Sequence, residues 1–250
     1  QYTSTDIPTK YNKIWNHNIS LHTFLTHRYN LGFYKERTDS VSTDSVTTVQ
    51  DFIPVTSFIH TLEFDKNNRK YISQDDAQNR ELFEHNYFGT DSIDIARRTS
   101  LRNTFGISLR EGFNKWAKAG LTAFLTHEYR DFTLPDSTDV PDQRIIKHYK
   151  ENVVYVGGEL LKEQGKLLHY KVLGEYAVAG EDAGQFRLEG KGDLNFKFLG
   201  DSVRLEANAY IKNLNPTFFY RHFHSKHYWW DNDDLSKVMR TRIEGTLKSD

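Results

Sequence analysis

The residues whose types best suit chemistry lie in one aromatic stretch, FFYRHFHSKHYWWDNDD, which spans Phe218–Asp234. Three histidines occur there, His222, His224 and His227, and the first two would share one face of an extended strand. Imidazole nitrogens bind metal ions, but a zinc site needs further ligands, and no cysteine or suitably placed carboxylate supplies them. The stretch is therefore interpreted as an aromatic surface loop, with metal binding by these histidines as the weaker alternative and no metal assigned.

Motifs for catalysis or phosphate binding are missing from the rest of the sequence. No serine lies in a nucleophile elbow, and no stretch with Gly and Lys matches a phosphate-binding loop. Cysteine is absent, which excludes thiolate chemistry and disulfides. His27 and His127 lie near predicted strand ends without a spaced Ser or Asp partner, so a hydrolase is a weak alternative. We assign no catalytic residue and expect no cofactor.

Charged and polar side chains recur at every second position in much of the sequence. In QFRLEGKGDLNFKFL, Gln185–Leu199, odd positions as far as Lys197 are polar or charged, and even positions are apolar or glycine. This period predicts a β-strand with one polar and one apolar face. The alternation recurs along most of the chain and predicts an all-β fold of about ten strands. The predicted strands are Leu21–Tyr34, Phe52–Phe64, Lys70–Gln74, Arg98–Arg110, Ala117–Asp131, Val153–Lys162, Leu167–Gly180, Gln185–Leu199, Ser202–Lys212 and Met239–Leu247.

The connections between these strands alternate in length. Tight turns with Gly or Asn are predicted at Lys66–Arg69, Gly112–Lys115, Glu163–Lys166 and Gly200–Asp201. Between them lie Lys35–Gln50, Asp75–Arg97, Thr133–Tyr149, the shorter Gly180–Gly184 and Pro216–Ser236. In an antiparallel up-and-down meander the tight turns then share one end and the long loops the other, as in transmembrane β-barrels. A soluble sandwich is the alternative, but Greek-key connections would not alternate so regularly.

Composition agrees with a single β domain over residues 1–250. The formal net charge is −1, which gives no bulk attraction to nucleic acid, and the mean hydropathy is −0.70. No run approaches 18 apolar residues, so the sequence predicts no transmembrane helix, whereas a barrel strand needs only about 9–11 alternating residues. The chain begins at Gln1 and ends within a strand-like pattern, and we expect it to be a fragment of a longer barrel.

Two stretches carry a family resemblance. IPVTSFIHTLEFD (Ile53–Asp65) and RRTSLRNTFGISLREGFNKWAKAGLTAFLTHEYRDF (Arg97–Phe132) resemble the putative porin family of Bacteroides-type outer membranes, and the resemblance continues to about Ile211. It implies a β-barrel in the outer membrane of a Gram-negative bacterium and no catalytic residue. Family members are longer than this chain, which again implies a fragment of a larger barrel.

In such a barrel the polar rows line the lumen and the apolar rows face lipid. The predicted lumen-facing residues are Arg98, Arg102, Arg110, Lys118, Glu128, Arg130, Lys171, Glu175, Arg187, Glu189, Lys191, Asp193, Lys197, Arg204, Glu206, Lys212, Arg240, Arg242 and Glu244. The predicted lipid-facing residues are Leu101, Phe105, Ile107, Leu121, Leu125, Val172, Leu188, Leu194, Phe196, Val203, Leu205 and Ile211. With Glu159 included, the predicted lumen side carries thirteen cationic and seven acidic side chains. This excess of positive charge predicts a mild preference for anions. The alternative is that opposite charges pair across neighbouring strands and only brace the wall.

Aromatic residues near strand ends are expected to form a girdle at the membrane interface. They are Tyr29, Phe33, Tyr34, Tyr129, Phe132, Tyr210, Phe218, Phe219 and Tyr220 beside the long loops, and Trp116 at a tight turn. The predicted function is passage of small polar solutes, with a non-conducting scaffold or docking subunit of an outer-membrane complex as the alternative. The expected partners are membrane lipid and other outer-membrane proteins, with no nucleic acid.

Overall fold

The computed structural model describes residues 14–42, 45–73, 83–89, 93–112, 118–137, 144–198 and 200–249. Nine strands form one antiparallel sheet, and two short strands form a separate hairpin. The sheet contains β1 (Ile14–Ser42), β2 (Ser45–Ser73), β3 (Ile93–Leu109), β4 (Gly120–Ser137), β5 (Arg144–Lys162), β6 (Leu168–Gly180), β7 (Phe186–Phe198), β8 (Asp201–Leu214) and β11 (Val238–Ser249). A short helix, α1 (Phe218–Arg221), precedes the hairpin of β9 (His222–His224) and β10 (Trp229–Asp231). No helix in these ranges is long and apolar enough to cross a membrane.

The strands of the sheet pair in the order in which they occur along the chain. Each of β1 to β8 is antiparallel to the next, and β11 pairs with β8. This order confirms the predicted meander and excludes a Greek-key sandwich for the described strands, because a Greek key brings a later strand beside an earlier one. Within the described residues β1 and β11 do not pair with each other, so the sheet is open along both outer strands.

The connections separate into two ends as predicted, although their bounds differ. Residues 43–44, 110–119, 163–167 and 199–200 connect strands at one end, which we call the turn end. Residues 74–92, 138–143, 181–185 and 215–237 connect them at the other, which we call the loop end. Two of the loop-end connections are much longer than any at the turn end.

The prediction of a tight turn at Lys66–Arg69 is wrong. These residues continue β2, where Asn67 pairs with Ser20 on one side and with Arg98 on the other. Local sequence cannot reveal this, because Asn is common in turns but is tolerated in a strand with a partner on each side. The two predicted strands Phe52–Phe64 and Lys70–Gln74 are therefore parts of one strand, which ends at Ser73.

The prediction of a long loop at Lys35–Gln50 is also wrong. β1 extends to Ser42 and β2 begins at Ser45, so these residues belong to a hairpin that ends at the turn end. β2 pairs with β3 only from Thr56 onward, and the hairpin therefore projects beyond the rest of the sheet. Valine and threonine in this stretch favour extended backbone, which agrees with the observed pairing.

Buried apolar residues form two small clusters rather than one large core. One contains Phe132, Leu134 and Phe218, and the other contains Val153, Tyr155 and Ala177.

Phe132 and Phe218 were predicted to belong to an interfacial girdle, but their rings stack on each other at 4.1 Å and are buried. Phe33 and Tyr34 lie in the projecting hairpin, away from the loop end. Trp116 lies outside the described residues.

Candidate functional site

The strand register divides the sheet into two chemically different faces. Residues directly opposite each other in an antiparallel pair point to the same side. Arg102 pairs with Glu128, and Arg187 pairs with Lys212, which pairs with Arg240. We call this side the charged face. Phe105, Leu125 and Val156 are opposite one another on the other side, which we call the apolar face.

The two faces differ in exposure. On the apolar face Phe105 is 58% exposed and Leu125 is 49% exposed. Leu125 lies on β4, and on the charged face of that strand Thr126 and Glu128 are buried. Water is thus excluded from part of the charged face, while apolar side chains stand free on the other side.

The residues predicted to face the lumen lie on the charged face wherever a strand carries them. Arg110 and Lys118 lie just outside strands, after β3 and before β4. The residues predicted to face lipid all lie on the apolar face. Among these Val203 is buried, with 7% exposure, and Val172, Leu194, Phe196 and Ile211 are half-buried.

Arg130 forms the centre of a buried charge network near the loop end. Its Nε donates to Glu128 Oε1 at 2.8 Å, and its Nη1 donates to Glu151 Oε2 at 3.4 Å. Its Nη2 lies 2.8 Å from Asp182 Oδ2. Glu128, Glu151 and Asp182 are all buried, so each needs charge compensation. Glu128 also pairs with Arg98 and Arg102, and Glu151 with Arg221, whereas Asp182 has no other cationic partner among the described residues.

Tyr155 completes this network. Arg130 Nη2 donates to the tyrosine hydroxyl at 2.7 Å, and the hydroxyl donates to Asp182 Oδ2 at 2.7 Å. Burial raises the pKa of Asp182, but the charge of Arg130 and the hydrogen bond from Tyr155 outweigh it and hold that pKa below its usual value. Asp182 is therefore an ionised acceptor at neutral pH.

A glycine makes the position of Asp182 possible. Gly180 has a φ of 93°, and a Cβ atom there would lie 1.7 Å from the backbone oxygen of Asn152. Only glycine fits this backbone conformation and this close approach. The turn that follows β6 can therefore fold toward Arg130.

A second charge network joins strands that are not neighbours. Glu175 on β6 accepts from Arg102 Nη2 at 3.2 Å and from Arg187 Nη2 at 3.1 Å. Arg102 lies on β3, with two strands between it and β6. Such a contact is natural where the sheet curves toward the charged face, as the inside of a barrel wall does.

Ion pairs also link neighbouring strands along the rest of the charged face. Lys171 lies 2.7 Å from Glu159, and Lys212 lies 2.7 Å from Glu189. Cross-strand pairs of opposite charge stabilise a sheet modestly. Opposite charges therefore pair across neighbouring strands over a large part of the charged face, which is the alternative that the sequence analysis left open.

Residues 215–237, which we call the inward loop, fold from the loop end of β8 over the charged face. Phe218 packs on Phe132 of β4, and Arg221 of α1 forms an ion pair with Glu151 of β5. Further along, the backbone N–H of Lys226 donates to Asp94 Oδ1 on β3 at 2.6 Å. The loop thus crosses from β8 to β3 and covers part of the charged face at this end.

The three histidines of the aromatic stretch do not converge. His222 Nδ1 and His224 Nε2 each lie 2.9 Å from Asp231 Oδ1, whereas His227 Nδ1 donates to the carbonyl oxygen of His85 at 2.9 Å. No group of three or more His, Cys, Asp or Glu in the described ranges could hold a metal ion. The weaker metal-binding alternative at His222, His224 and His227 therefore has no support from the geometry.

Burial raises the pKa of Asp231, but hydrogen bonds from His222 and His224 lower it below its usual value. His127 and His27, the weak hydrolase candidates, contact Asn152 and His60 respectively.

Sequence reasoning did not single out four residues of these networks, Glu151, Tyr155, Asp182 and Arg221. Glu151 and Tyr155 share the two-residue period of Glu159, a signal that the valines beside them obscure. Asp182 and Arg221 lie in connections, for which periodicity makes no prediction.

Comparison with known proteins gives the family. A family model described as putative porin matches residues 1–250. The chain belongs to the putative porin family. This membership, together with the antiparallel meander, assigns it a porin-like β-barrel fold and a porin-like role, and it implies a channel protein rather than an enzyme. Searches of curated proteins and of solved structures found no match.

Proposed function

We propose that this porin lies in the outer membrane of a Gram-negative bacterium and lets small polar solutes pass, with a mild preference for anions. The observation that carries the proposal is the division of a nine-stranded meander into a charged face and an apolar face. In a barrel wall the charged face lines an aqueous lumen and the apolar face meets lipid.

Exposure of the apolar face supports this orientation. Soluble monomers rarely expose contiguous apolar patches larger than a few hundred Å². Here the exposed apolar side chains occur on most strands, from Leu25 on β1 through Phe105 and Leu188 to Ile243 on β11. Lipid is the solvent that suits such a surface.

Cationic residues without ion pairs support the preference for anions. Several cations among the described residues of the charged face lie farther than 4.0 Å from any carboxylate, among them Arg28, Arg69, Lys191, Lys197 and Arg240. The acidic Glu63 on this face likewise has no basic group within 4.0 Å. The remaining cations are largely neutralised by pairing. The residual positive charge is small, which is why we propose a mild preference rather than strict selectivity.

Closure of the wall is part of the proposal. In lipid every backbone N–H and C=O group must be paired, so β1 and β11 cannot remain as free edges. We propose that the described sheet is part of one barrel domain, completed along these edges by further strands or by a partner chain.

One observation favours the second candidate function, a non-conducting scaffold or docking subunit. The inward loop covers the charged face at the loop end and is held there by stacking and by an ion pair. If this loop blocked the lumen, the barrel would present its loops to partners without conducting.

Planar-bilayer recording of the full-length protein tests both candidates. We expect ohmic conductance and a reversal potential in a KCl gradient that reports a mild preference for chloride. Preference for potassium would contradict the proposed selectivity. Absence of conductance together with stable co-purification of other outer-membrane proteins would favour the scaffold.

A further inference from the structure

The apolar face becomes cationic toward the loop end of the sheet. On β2 the side chain that follows Phe64 on this face is Lys66, and on β3 the corresponding cation is Arg97. On β5 Lys150 lies on the same face, opposite Asp131 of β4. We call Lys66, Arg97 and Lys150 the basic belt. Lys66 and Lys150 are exposed, and Arg97 is half-buried.

The strand register brings the cations of the basic belt within reach of one another. Lys66 and Lys150 lie in one row across the sheet, with Thr99 and Asp131 between them. Arg97 lies in the next row, as a diagonal neighbour of Lys66. Diagonal neighbours on one face are about 7–8 Å apart, so a single anionic group can contact both of these long side chains.

The basic belt lies just beyond the lipid-facing band of this face. On β4 that band runs from Leu121 to Tyr129, and Asp131 follows in the row of the belt. This length of strand spans about 27 Å, which is about 20 Å along the axis of a barrel whose strands tilt by about 40°. The apolar band of outer-membrane barrels is about 25 Å tall. In such a barrel the belt therefore lies at the level of the lipid headgroups.

Carboxylates of the described residues do not neutralise the basic belt. None lies within 4.0 Å of its three cations, and Arg97 Nε instead donates to Asn68 Oδ1 at 3.4 Å. Asp131 is the only described acidic residue in the two rows of the belt, and His148 Nδ1 lies 3.1 Å from its Oδ1. An excess of positive charge therefore remains on the outside of the sheet at the loop end.

The loop-end connections carry further acidic residues, which lie outside the described ranges. The nearest of them along the chain is Asp91, and four positions of β3, from Ile93 to Arg97, separate it from the belt. Four strand positions span about 13 Å, more than the Debye length of about 10 Å at 0.1 M salt. Such a carboxylate compensates the belt only if its connection folds back along the apolar face, and the lipid affinity of the unaltered protein includes any such effect.

We propose that the basic belt binds the phosphate groups of lipid headgroups in the outer leaflet of the membrane. Lys66 and Arg97 share one phosphate, and Lys150 binds a second. Guanidinium and ammonium groups both bind phosphate through charge-assisted hydrogen bonds, and long loops mark the extracellular end of such barrels. The inference rests on the proposed function, because it takes the apolar face as the lipid side, and it adds the class of lipid, an anionic one with more than one phosphate.

Native mass spectrometry of the full-length protein, released from dodecyl maltoside micelles, tests the proposal. The probes are diphosphoryl lipid A and monophosphoryl lipid A, which differ by one phosphate, with zwitterionic phosphatidylcholine as a further control. We expect loss of one phosphate to weaken binding about fivefold, and phosphatidylcholine to bind more weakly still. Equal affinity for the two forms of lipid A would overturn the proposal. Displacement of the lipid by inorganic phosphate would also overturn it, because the site would then recognise a soluble ion.

Two variants of equal net charge then locate the site. The belt variant combines Lys66→Gln, Arg97→Gln and Lys150→Gln. The control variant combines Lys191→Gln, Lys197→Gln and Arg240→Gln, which remove three cations from the charged face instead. We expect the belt variant to bind diphosphoryl lipid A about tenfold more weakly, since each cation near a lipid surface adds to the attraction, and the control variant to bind it as the unaltered protein does. Equal losses in the two variants would overturn the assignment.

A third variant keeps the charge of the belt. Lys66→Arg with Arg97→Lys and Lys150→Arg should retain most of the affinity for diphosphoryl lipid A. A loss as large as that of the belt variant would show that charge is not the cause. The comparison of the two forms of lipid A uses the unaltered protein, so it decides the lipid class even where a variant fails to fold.

The outcomes separate this inference from the proposed function. Conductance without a preference for the second phosphate would remove the lipid site alone. A preference for diphosphoryl lipid A without conductance would retain the site and remove the proposed passage of solutes.

Discussion

Among single residues, Arg130 has the clearest energetic role, because one guanidinium compensates three buried carboxylates. Removing one partner of a buried ion pair costs about 3–5 kcal/mol when a buried charge is left without compensation. Here that charge is Asp182, because Glu128 keeps Arg98 and Arg102 and Glu151 keeps Arg221. We expect Arg130→Gln to lower the free energy of unfolding by that amount, measured by urea titration of the full-length protein in lipid vesicles.

Arg204→Gln is the matched control for this change. The Arg204 side chain is 51% exposed and pairs with Asp193 at 3.5 Å and Glu206 at 3.3 Å, also on the charged face. Exposed ion pairs contribute at most about 1 kcal/mol, so its effect should be small. Equal losses in the two variants would show that burial of the Arg130 network has no energetic consequence.

Residues on the apolar face test which side of the sheet meets lipid. Leu125 lies in the middle of that face, opposite Phe105 and Val156. An arginine on the lipid side near the membrane midplane costs about 2–4 kcal/mol, so Leu125→Arg should destabilise or block insertion into vesicles. Lys191→Ala on the charged face should leave insertion unchanged. Similar tolerance at both positions would contradict the proposed orientation.

Among the structural elements, the turn after β6 links pH to stability through Asp182. A carboxyl whose pKa is lower in the folded state contributes stability above its unfolded pKa, about 3.9, and loses it as pH falls through the folded pKa. We therefore expect the unaltered protein to lose more stability between pH 6 and pH 3 than Asp182→Asn does. Urea titration at both pH values measures this difference.

The matched control for Asp182→Asn is Asp234→Asn, at an exposed position of the inward loop. It should keep the full pH dependence of the unaltered protein. If Asp182→Asn showed the same pH dependence as this control, the pairing of Asp182 with Arg130 would contribute nothing to stability.

The inward loop depends on the packing of Phe218 against Phe132. Truncation of a buried phenylalanine typically costs about 3–5 kcal/mol, and here the loss falls on the contact between loop and sheet. We expect Phe218→Ala to release the loop, which would raise single-channel conductance and speed proteolysis within residues 215–237. Tyr220→Ala on the same helix is the control, because Tyr220 is 72% exposed. Identical conductance and proteolysis in the two variants would show that this packing does not hold the loop.

For the whole molecule, selectivity should follow the charges that remain unpaired on the charged face. Reversal of two of them, Lys191→Glu with Arg240→Glu, should move the reversal potential toward cation preference. The shift should be larger at 0.1 M salt than at 1 M, where the Debye length falls from about 10 Å to about 3 Å. Lys166→Glu in the exposed turn before β6 is the control for net charge. A shift of equal size in the control would mean that the lumen charges do not set selectivity.

The sequence by itself determined the strands from β3 to β8, the meander order and the composition of the two faces. These features follow from a two-residue period and from turn chemistry, which are local properties of an extended chain. The period could not show that Lys66–Arg69 continues a strand, because the strands on either side decide this. The loop predicted at Lys35–Gln50 is wrong for a different reason: these residues extend the hairpin of β1 and β2, which pair there only with each other.

Only the tertiary structure decided how connections meet the sheet. Asp94 and Lys226 are 132 positions apart, and Arg221 meets Glu151 from 70 positions away. No local pattern encodes such contacts, because they depend on how the inward loop folds back from β8 toward β3 over the charged face. The Arg130 network and the stacked pair of Phe132 and Phe218 both arise in this way. Alternation along the chain therefore determined the two-faced sheet, whereas long-range packing at the loop end determined how the inward loop covers its charged face.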